Sequence, residues 1–179
     1  MDEIWAHGGA MRKEAAKLLR DSFERQFLQR FPYFTKVSSR VLPAGMRLYG
    51  WRASTTDASA FLLLFIDPKY DAFGVNLAYS VSGEWIPGAG TVGRPGCGLR
   101  NGHYEASVGV LITSGVEENG QWWLEPSPLK TSCLVSPPVE RSIARIPNAI
   151  KDAMEKIRQY AIPEFHRLAG LSGDVLVET

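Results

Sequence analysis

The sequence predicts a single α+β domain across residues 1–179, with a central antiparallel sheet of about five or six strands between an N-terminal and a C-terminal amphipathic helix. Near both ends of the chain, apolar residues recur every three or four positions, whereas between them they alternate with a period of two. These strands lie between the two helices, without a regular helix after each strand. That order favours α+β over a parallel doubly wound sheet.

The N-terminal helix is predicted over residues 11–31. Its apolar positions recur every fourth residue, at Met11, Ala15, Leu19, Phe23, Phe27 and Phe31. This spacing places the side chains on one face of a helix. Pro32 is expected to stop the helix, because proline disfavours the helical conformation of the residue before it.

Segments with a period of two predict the strands. Residues 60–66 are apolar on both faces and too short for a typical helix, so we expect a central strand that is covered on each side. The other strands are predicted at residues 35–42, 46–52, 72–82, 104–113 and 121–124.

The C-terminal helix is expected to begin near Ser142 and to be renewed at Pro147, a residue suited to a first helical turn, and to continue to residue 161. Pro163 then begins a shorter helical segment. Long loops rich in glycine or proline are predicted at about residues 84–103 and 125–140. Loops of this length inside a domain are often functional.

Composition excludes several classes of function. Twenty basic side chains nearly cancel nineteen acidic ones, and a net charge of +1 suggests neither a nucleic-acid binder nor an acidic mimic of DNA. The longest strongly apolar stretch has seven residues, whereas a membrane helix needs about 20. The first residues carry acid where a secretory signal carries Lys or Arg, so we expect a cytoplasmic protein. Cys97 and Cys133 are expected to be free thiols.

The glycine-rich loop matches a phosphate-binding pattern only in its spacing. Gly88, Gly90 and Gly93 fit G-x-G-x-x-G, but Arg94 and Pro95 follow where a phosphate-binding loop opens a helix. The sequence therefore favours an ordinary loop between strands, and no cofactor is predicted.

Cys97, His103 and Glu105 lie within nine residues and resemble a nucleophile, a base and an orienting acid. Such a triad is recognised by geometry, and a glycine-rich loop would hold the thiol poorly, so an incidental thiol is favoured. His7 and His166 have no companions at ligand spacing, and no metal is predicted. We expect no enzyme. The alternative is a small-molecule-binding domain or enzyme with a site near Cys97, Arg100 and His103.

Aromatic and arginine side chains in the predicted loops and strands suggest protein contacts. Such residues supply the strongest contacts of protein interfaces. Neighbours in a strand point to opposite faces, so one of Trp122 and Trp123 is expected to face outward. The predicted contact residues are Trp85, Arg94, Arg100, Tyr104 and Trp122.

Short motifs along most of the chain carry a family resemblance. They are the long N-terminal helix, Leu48-Tyr-Gly-Trp51, Phe73-Gly-Val-Asn-Leu77, Trp122-Trp123-Leu124 and the ending around residues 157–165. With them the chain resembles a family of uncharacterised bacterial α+β domains. Some members are encoded beside secreted polymorphic toxins, and the resemblance implies an immunity protein with a cognate protein toxin as its partner. The family has no catalytic residues to carry over, and the oligomeric state stays open.

Overall fold

The computed structural model of the protein describes residues 2–39, 42, 45–67, 72–87, 91–92, 97–113, 121–123 and 139–178. Within these ranges the helices are α1 (Asp2–Arg30), α2 (Val108–Thr113), α3 (Val139–Lys156) and α4 (Ile162–Ser172), and a π-helix (Ile157–Ala161) joins α3 to α4. The strands are β1 (Thr35–Val37), β2 (Arg47–Arg52), β3 (Ser59–Asp67), β4 (Ala72–Ser80), β5 (Thr91–Val92), β6 (His103–Ser107) and β7 (Gln121–Trp123).

These strands form one sheet in the order β1-β2-β3-β4-β6-β5, and β7 also pairs with β4. Every pairing is antiparallel except that of β5 with β6. Along one edge of β4, residues 76–80 pair with β6 and residues 72–74 pair with β7. The predicted α+β class, an antiparallel sheet with an N-terminal and a C-terminal helix, is confirmed.

Helix α1 buries the predicted apolar stripe against one face of the sheet. Leu19, Phe23, Phe27 and Phe31 are all at most 3% exposed and belong to the main hydrophobic core. The ring of Phe27 lies 4.9 Å from that of Tyr49 in β2, measured between centroids. Truncating a buried Phe costs about 3–5 kcal/mol, so this stripe is a major source of stability.

The first helix starts earlier than predicted, at Asp2 instead of residue 11, and ends at Arg30 just before Pro32. Residues 2–10 lack the apolar repeat of every fourth position and include Gly8 and Gly9. Each glycine disfavours helix by about 1 kcal/mol relative to alanine. The sequence pattern therefore marked only the part of α1 that carries the stripe.

Strand β3 is covered on both faces, as predicted. Leu62 belongs to the main core, whereas Phe61 and Leu63 form a second cluster with Leu48 and Ala78 on the opposite face. All of these residues are at most 5% exposed. The central strand therefore separates two apolar layers.

The predicted strand over residues 104–113 is wrong in its second half. β6 ends at Ser107, and Val108–Thr113 form helix α2. Val108, Val110 and Ile112 alternate as in a strand. In the folded chain, however, Val108 and Leu111 are three residues apart and both buried, as on one face of a helix. Tertiary packing against β4, β6 and the π-helix overrides the β-branched pattern.

The C-terminal helix also differs from the prediction, because Pro147 lies inside α3 and not in its first turn. Pro147 is exposed, while Ile146, Ile150 and Ala153 on the core side are at most 2% exposed. Proline in a helix interior costs about 3 kcal/mol, and burial of this stripe offsets the cost. The short segment predicted at Pro163 is confirmed as α4.

The tail after α4 is held by a buried carboxylate. Asp174 is 6% exposed and accepts hydrogen bonds from Thr56 Oγ1, from Tyr79 Oη at 2.9 Å and from Ser172 Oγ at 2.6 Å. Leu176 enters the main core. These contacts fasten the end of the chain to the turn between β2 and β3 and to β4.

Both predicted loops, at about residues 84–103 and 125–140, contain part of a strand or a helix. Thr91–Val92 form β5 within the first loop, and α3 begins at Val139 within the second. Residues 88–90, 93–96 and 124–138 of these two segments lie outside the described residues, as does Cys133. In the part of the chain that is described, no helix combines the length and apolar character that crossing a bilayer requires.

Candidate functional site

Two predicted contact residues, Trp85 and Arg100, lie at the same end of the sheet. The backbone N–H of Val81 donates a hydrogen bond to the carbonyl of Gly102 at 3.0 Å. The segment 81–87 that follows β4 is therefore the neighbour of the turn that precedes β6. Trp85 and Arg100, which are 15 positions apart in sequence, are therefore brought to the same end of the sheet.

A tight turn presents Arg100. Its N–H and carbonyl exchange hydrogen bonds of 2.8 and 2.9 Å with those of His103, and Asn101 and Gly102 have φ values of 50° and 77°. Positive φ at both central residues is typical of a type I′ turn. The exposed guanidinium therefore extends from a well-defined backbone position.

Trp85 is half-buried against the second apolar cluster. Its indole Nε1 is buried and has no hydrogen-bond partner within the described residues. In the same segment of the chain, Val81 and Ile86 are 40% and 47% exposed. We call Val81, Trp85, Ile86, Arg100 and His103 the edge patch. It combines exposed apolar groups with an aromatic ring and a guanidinium, the side-chain types that dominate interface energetics.

Tyr104 does not belong to this surface, and the expectation that it contacts a partner is corrected. It is 1% exposed, because its side chain points to the main core while His103 and Glu105 point to the other face of β6. Burial and the nearby charge of Glu164 raise the pKa of Tyr104 above its ordinary value. Its hydroxyl stays protonated at neutral pH.

Trp122 lies apart from the edge patch. In β7 it is opposite Phe73, near the beginning of β4, whereas the segment with Trp85 follows the end of β4 at Ser80. Seven residues of strand span about 23 Å, so the backbone position of Trp122 is distant from the end of β4 that leads to Trp85. Arg94 lies outside the described residues.

The structure does not assemble a triad from Cys97, His103 and Glu105. Cys97 is half-buried against the main core, on the same side of the sheet as Tyr104. His103 and Glu105 line a shallow pocket on the opposite side of the sheet, together with Trp85. The thiol and the imidazole therefore face different layers of the fold.

That shallow pocket encloses only about 10 Å³. Such a volume holds about one water molecule. Glu84, His103 and Glu105 surround it and give it a polar rim. It has no room for an organic substrate, so its rim adds polar groups to the edge patch instead of forming a substrate site.

A partly buried ion pair contacts the backbone of Cys97. Arg167 binds both carboxylate oxygens of Glu164 at 2.7 and 2.8 Å and donates from Nη2 to the carbonyl of Cys97 at 2.7 Å. The Tyr104 hydroxyl lies near this pair. The hydrogen bonds to Glu164 raise the pKa of Arg167, and the guanidinium remains charged. Its three donated bonds give this cluster a structural role.

Sequence reasoning missed a groove at the C-terminal side of the described residues. This C-terminal groove has a volume of about 540 Å³ and lies between the end of α1, the π-helix, α4 and the tail, with Arg30, Phe31, Tyr33, Arg158, Ile162 and His166 among its lining residues. Residues 30–33 and residues 158–178, two regions that are remote from each other in sequence, build it. The one local signal was Pro163, which lies in the first turn of α4 directly after the π-helix.

Comparisons with known proteins leave function to be inferred from the chain itself. No family model, no curated protein and no solved structure matches it. Among the described residues, no group of three or more His, Cys, Asp or Glu side chains is placed to hold a metal ion.

Proposed function

We propose that the protein is a non-catalytic binding protein of the cytoplasm, and that it neutralises a cognate bacterial toxin by binding it directly through the edge patch. The observation that carries this proposal is Trp85, which is half-buried on the second apolar cluster. Its segment also contains the exposed Val81 and Ile86 and is hydrogen-bonded through Val81 to the turn that carries Arg100. The toxin as partner rests on the family resemblance described for the sequence.

Rigidity makes the edge patch suitable for binding. Trp85 already rests on Phe61 and Leu63, so little side-chain freedom is lost when a partner covers its outer surface. Arg100 is held by the type I′ turn and offers a planar guanidinium for a carboxylate. A partner that pairs its own apolar group with an acidic side chain would match both features.

Binding should be tested with the toxin encoded immediately beside the gene of this protein, using isothermal titration calorimetry and protection of growth in co-expressing cells. Ile86→Asp and Arg100→Glu change exposed residues, so folding should be intact. Each variant is expected to weaken binding by about thirtyfold, equal to about 2 kcal/mol, and to reduce protection.

Two substitutions serve as matched controls. Leu171→Asp changes an exposed apolar residue of α4, and Arg52→Glu changes an exposed arginine of β2, both outside the edge patch. They should bind the toxin as tightly as the wild type. If Ile86→Asp and Arg100→Glu bind and protect like these controls, the edge patch is not the binding surface. If the wild type itself neither binds nor protects, the proposed function is wrong.

A further inference from the structure

The C-terminal groove has the dimensions of a small-molecule site. Its volume of about 540 Å³ falls within the range of about 300–1,000 Å³ that is typical of ligand pockets. It opens on the helix-covered side of the sheet and shares no lining residue with the edge patch. The C-terminal groove is therefore a candidate site for a function other than partner binding.

Apolar and aromatic side chains line the groove. Phe31 and Ile162 are only 3% and 7% exposed, so the half-buried Tyr33 and the exposed Pro163 supply its accessible apolar surface. Tyr33 forms an aromatic wall, with its ring centroid 4.3 Å from that of Trp51. An apolar body of a ligand would find contact on several sides.

Two arginines give the groove a cationic end. Arg30 Nη2 lies 2.8 Å from one carboxylate oxygen of Glu155, and Arg158 Nη2 lies 2.5 Å from the other. Two guanidiniums share one carboxylate, so this end carries one net positive charge. Each guanidinium has five N–H donors and gives one of them to Glu155, which leaves donors for a second carboxylate.

The groove also contains an acidic residue. Glu178 is one of its lining residues and lies 3.1 Å from His166 Nε2. Burial and the charge of Glu178 raise the pKa of Tyr33 to about 12, so its hydroxyl is a neutral donor at pH 7. An anionic group is repelled by Glu178 and attracted to the arginines, which would orient a ligand with a single negative charge.

The backbone at the cationic end is also unusual. Arg158 belongs to the π-helix, and the N–H of Ile162 bonds to the carbonyl of Ile157, five residues earlier. π-Helical turns are rare and occur frequently at functional sites. The widened turn precedes Pro163, whose ring would collide with a regular α-helical turn. The π-helical turn therefore sets the position of Arg158 at the cationic end of the groove.

We propose that the C-terminal groove binds small amphipathic monocarboxylates, whose apolar body lies on Tyr33 and Pro163 and whose carboxylate binds Arg30 and Arg158. Net charge at the arginine end favours the anion, the apolar lining favours an aromatic or aliphatic body, and Glu178 disfavours a second negative charge. The site is independent of toxin binding.

The test is calorimetric titration of the full chain at pH 7 with three probes: 3-phenylpropanoate, its neutral amide, and acetate. We expect 3-phenylpropanoate to bind at least tenfold more tightly than the amide or acetate, equal to about 1.4 kcal/mol. Equal binding of the acid and its amide would rule out recognition by the arginines. Equal binding of acetate would leave only an anion site, and absence of binding by 3-phenylpropanoate would refute the proposal.

Variants locate the site. Arg30→Gln and Arg158→Gln should each weaken binding of 3-phenylpropanoate at least fivefold, with folding checked by circular dichroism. Arg52→Gln is the matched control, because Arg52 is an exposed arginine paired with Asp57 outside the groove; Ile86→Ala tests the edge patch. The assignment to this groove is wrong if Arg30→Gln and Arg158→Gln bind 3-phenylpropanoate as tightly as the wild type does. It is also wrong if the two controls lose as much affinity for 3-phenylpropanoate as these two variants do.

Discussion

Replacing Asp174 by alanine is expected to lower the free energy of unfolding by about 2–4 kcal/mol at pH 7. The Asp174 carboxylate is 6% exposed and accepts hydrogen bonds from Thr56, Tyr79 and Ser172. A hydrogen bond to a charged group contributes about 1.5–3 kcal/mol. The three do not add, because Tyr79 Oη and Ser172 Oγ remain 2.8 Å apart and satisfy each other.

Urea denaturation followed by far-UV circular dichroism would measure this loss. In a chain of this size, a change of 3 kcal/mol corresponds to a fall of about 6–12 °C in the thermal midpoint. Asp57→Ala is the matched control, since its carboxylate is 78% exposed and pairs with Arg52. An exposed ion pair contributes at most about 1 kcal/mol. If Asp174→Ala is no more destabilising than Asp57→Ala, the buried network does not fasten the tail.

Acid should remove the difference between the wild type and Asp174→Ala. Burial raises the pKa of Asp174, but the hydrogen bonds from Ser172, Thr56 and Tyr79 lower it by more, and the net pKa lies below the ordinary value. A lowered folded-state pKa stabilises the fold above the unfolded value of about 3.9, and this contribution disappears as pH falls through the folded-state pKa. The stability gap should therefore narrow below about pH 4, and a constant gap would contradict this linkage.

Three further substitutions test the packing. Leu63→Asp should unfold the domain, because an unpaired carboxylate in the second cluster costs several kcal/mol; a cooperative thermal transition would show that the site tolerates charge. Gly74→Ala should cost about 1–3 kcal/mol in urea denaturation, since its Cβ would lie 2.0 Å from Phe65 Cζ, and Phe65→Leu in the same chain should recover part of the loss. Arg167→Met should lower the free energy of unfolding by about 2–3 kcal/mol, because buried Glu164 loses the two hydrogen bonds that Arg167 donates. Adding Glu164→Leu should restore stability, and the absence of recovery would contradict this reasoning.

Local periodicity predicted those elements whose own apolar pattern shows which of their faces are buried. Phe23 and Phe27 repeat at helical spacing, and Leu62 and Leu63 fill both faces of a short strand, so both elements could be identified without knowledge of their neighbours. Helix α2 could not be identified in this way, because the packing of Val108 against distant elements decides its conformation.

The candidate sites show the same difference between what local sequence reveals and what the packing of distant elements decides. Trp85 and Arg100 were identified by residue type and loop position, and the hydrogen bond from Val81 to Gly102 explains why their segments are neighbours. Tyr104 was misplaced because residue type alone does not reveal which face of β6 it occupies. The C-terminal groove was invisible in the sequence, since Arg30 and Arg158 become neighbours only through Glu155 in the folded chain.

The fastening of the tail has a consequence for the kinetics of folding. Asp174 meets Thr56 across 118 residues, and Trp51 Nε1 donates to the carbonyl of Val177 across 126. Contacts so remote in sequence carry a large loop-closure entropy and slow the folding of a domain. The antiparallel pairing of β3 with β4 is far more local. We therefore expect this hairpin to form early, while the last step is the closure of the tail over a core that stays open to water until then.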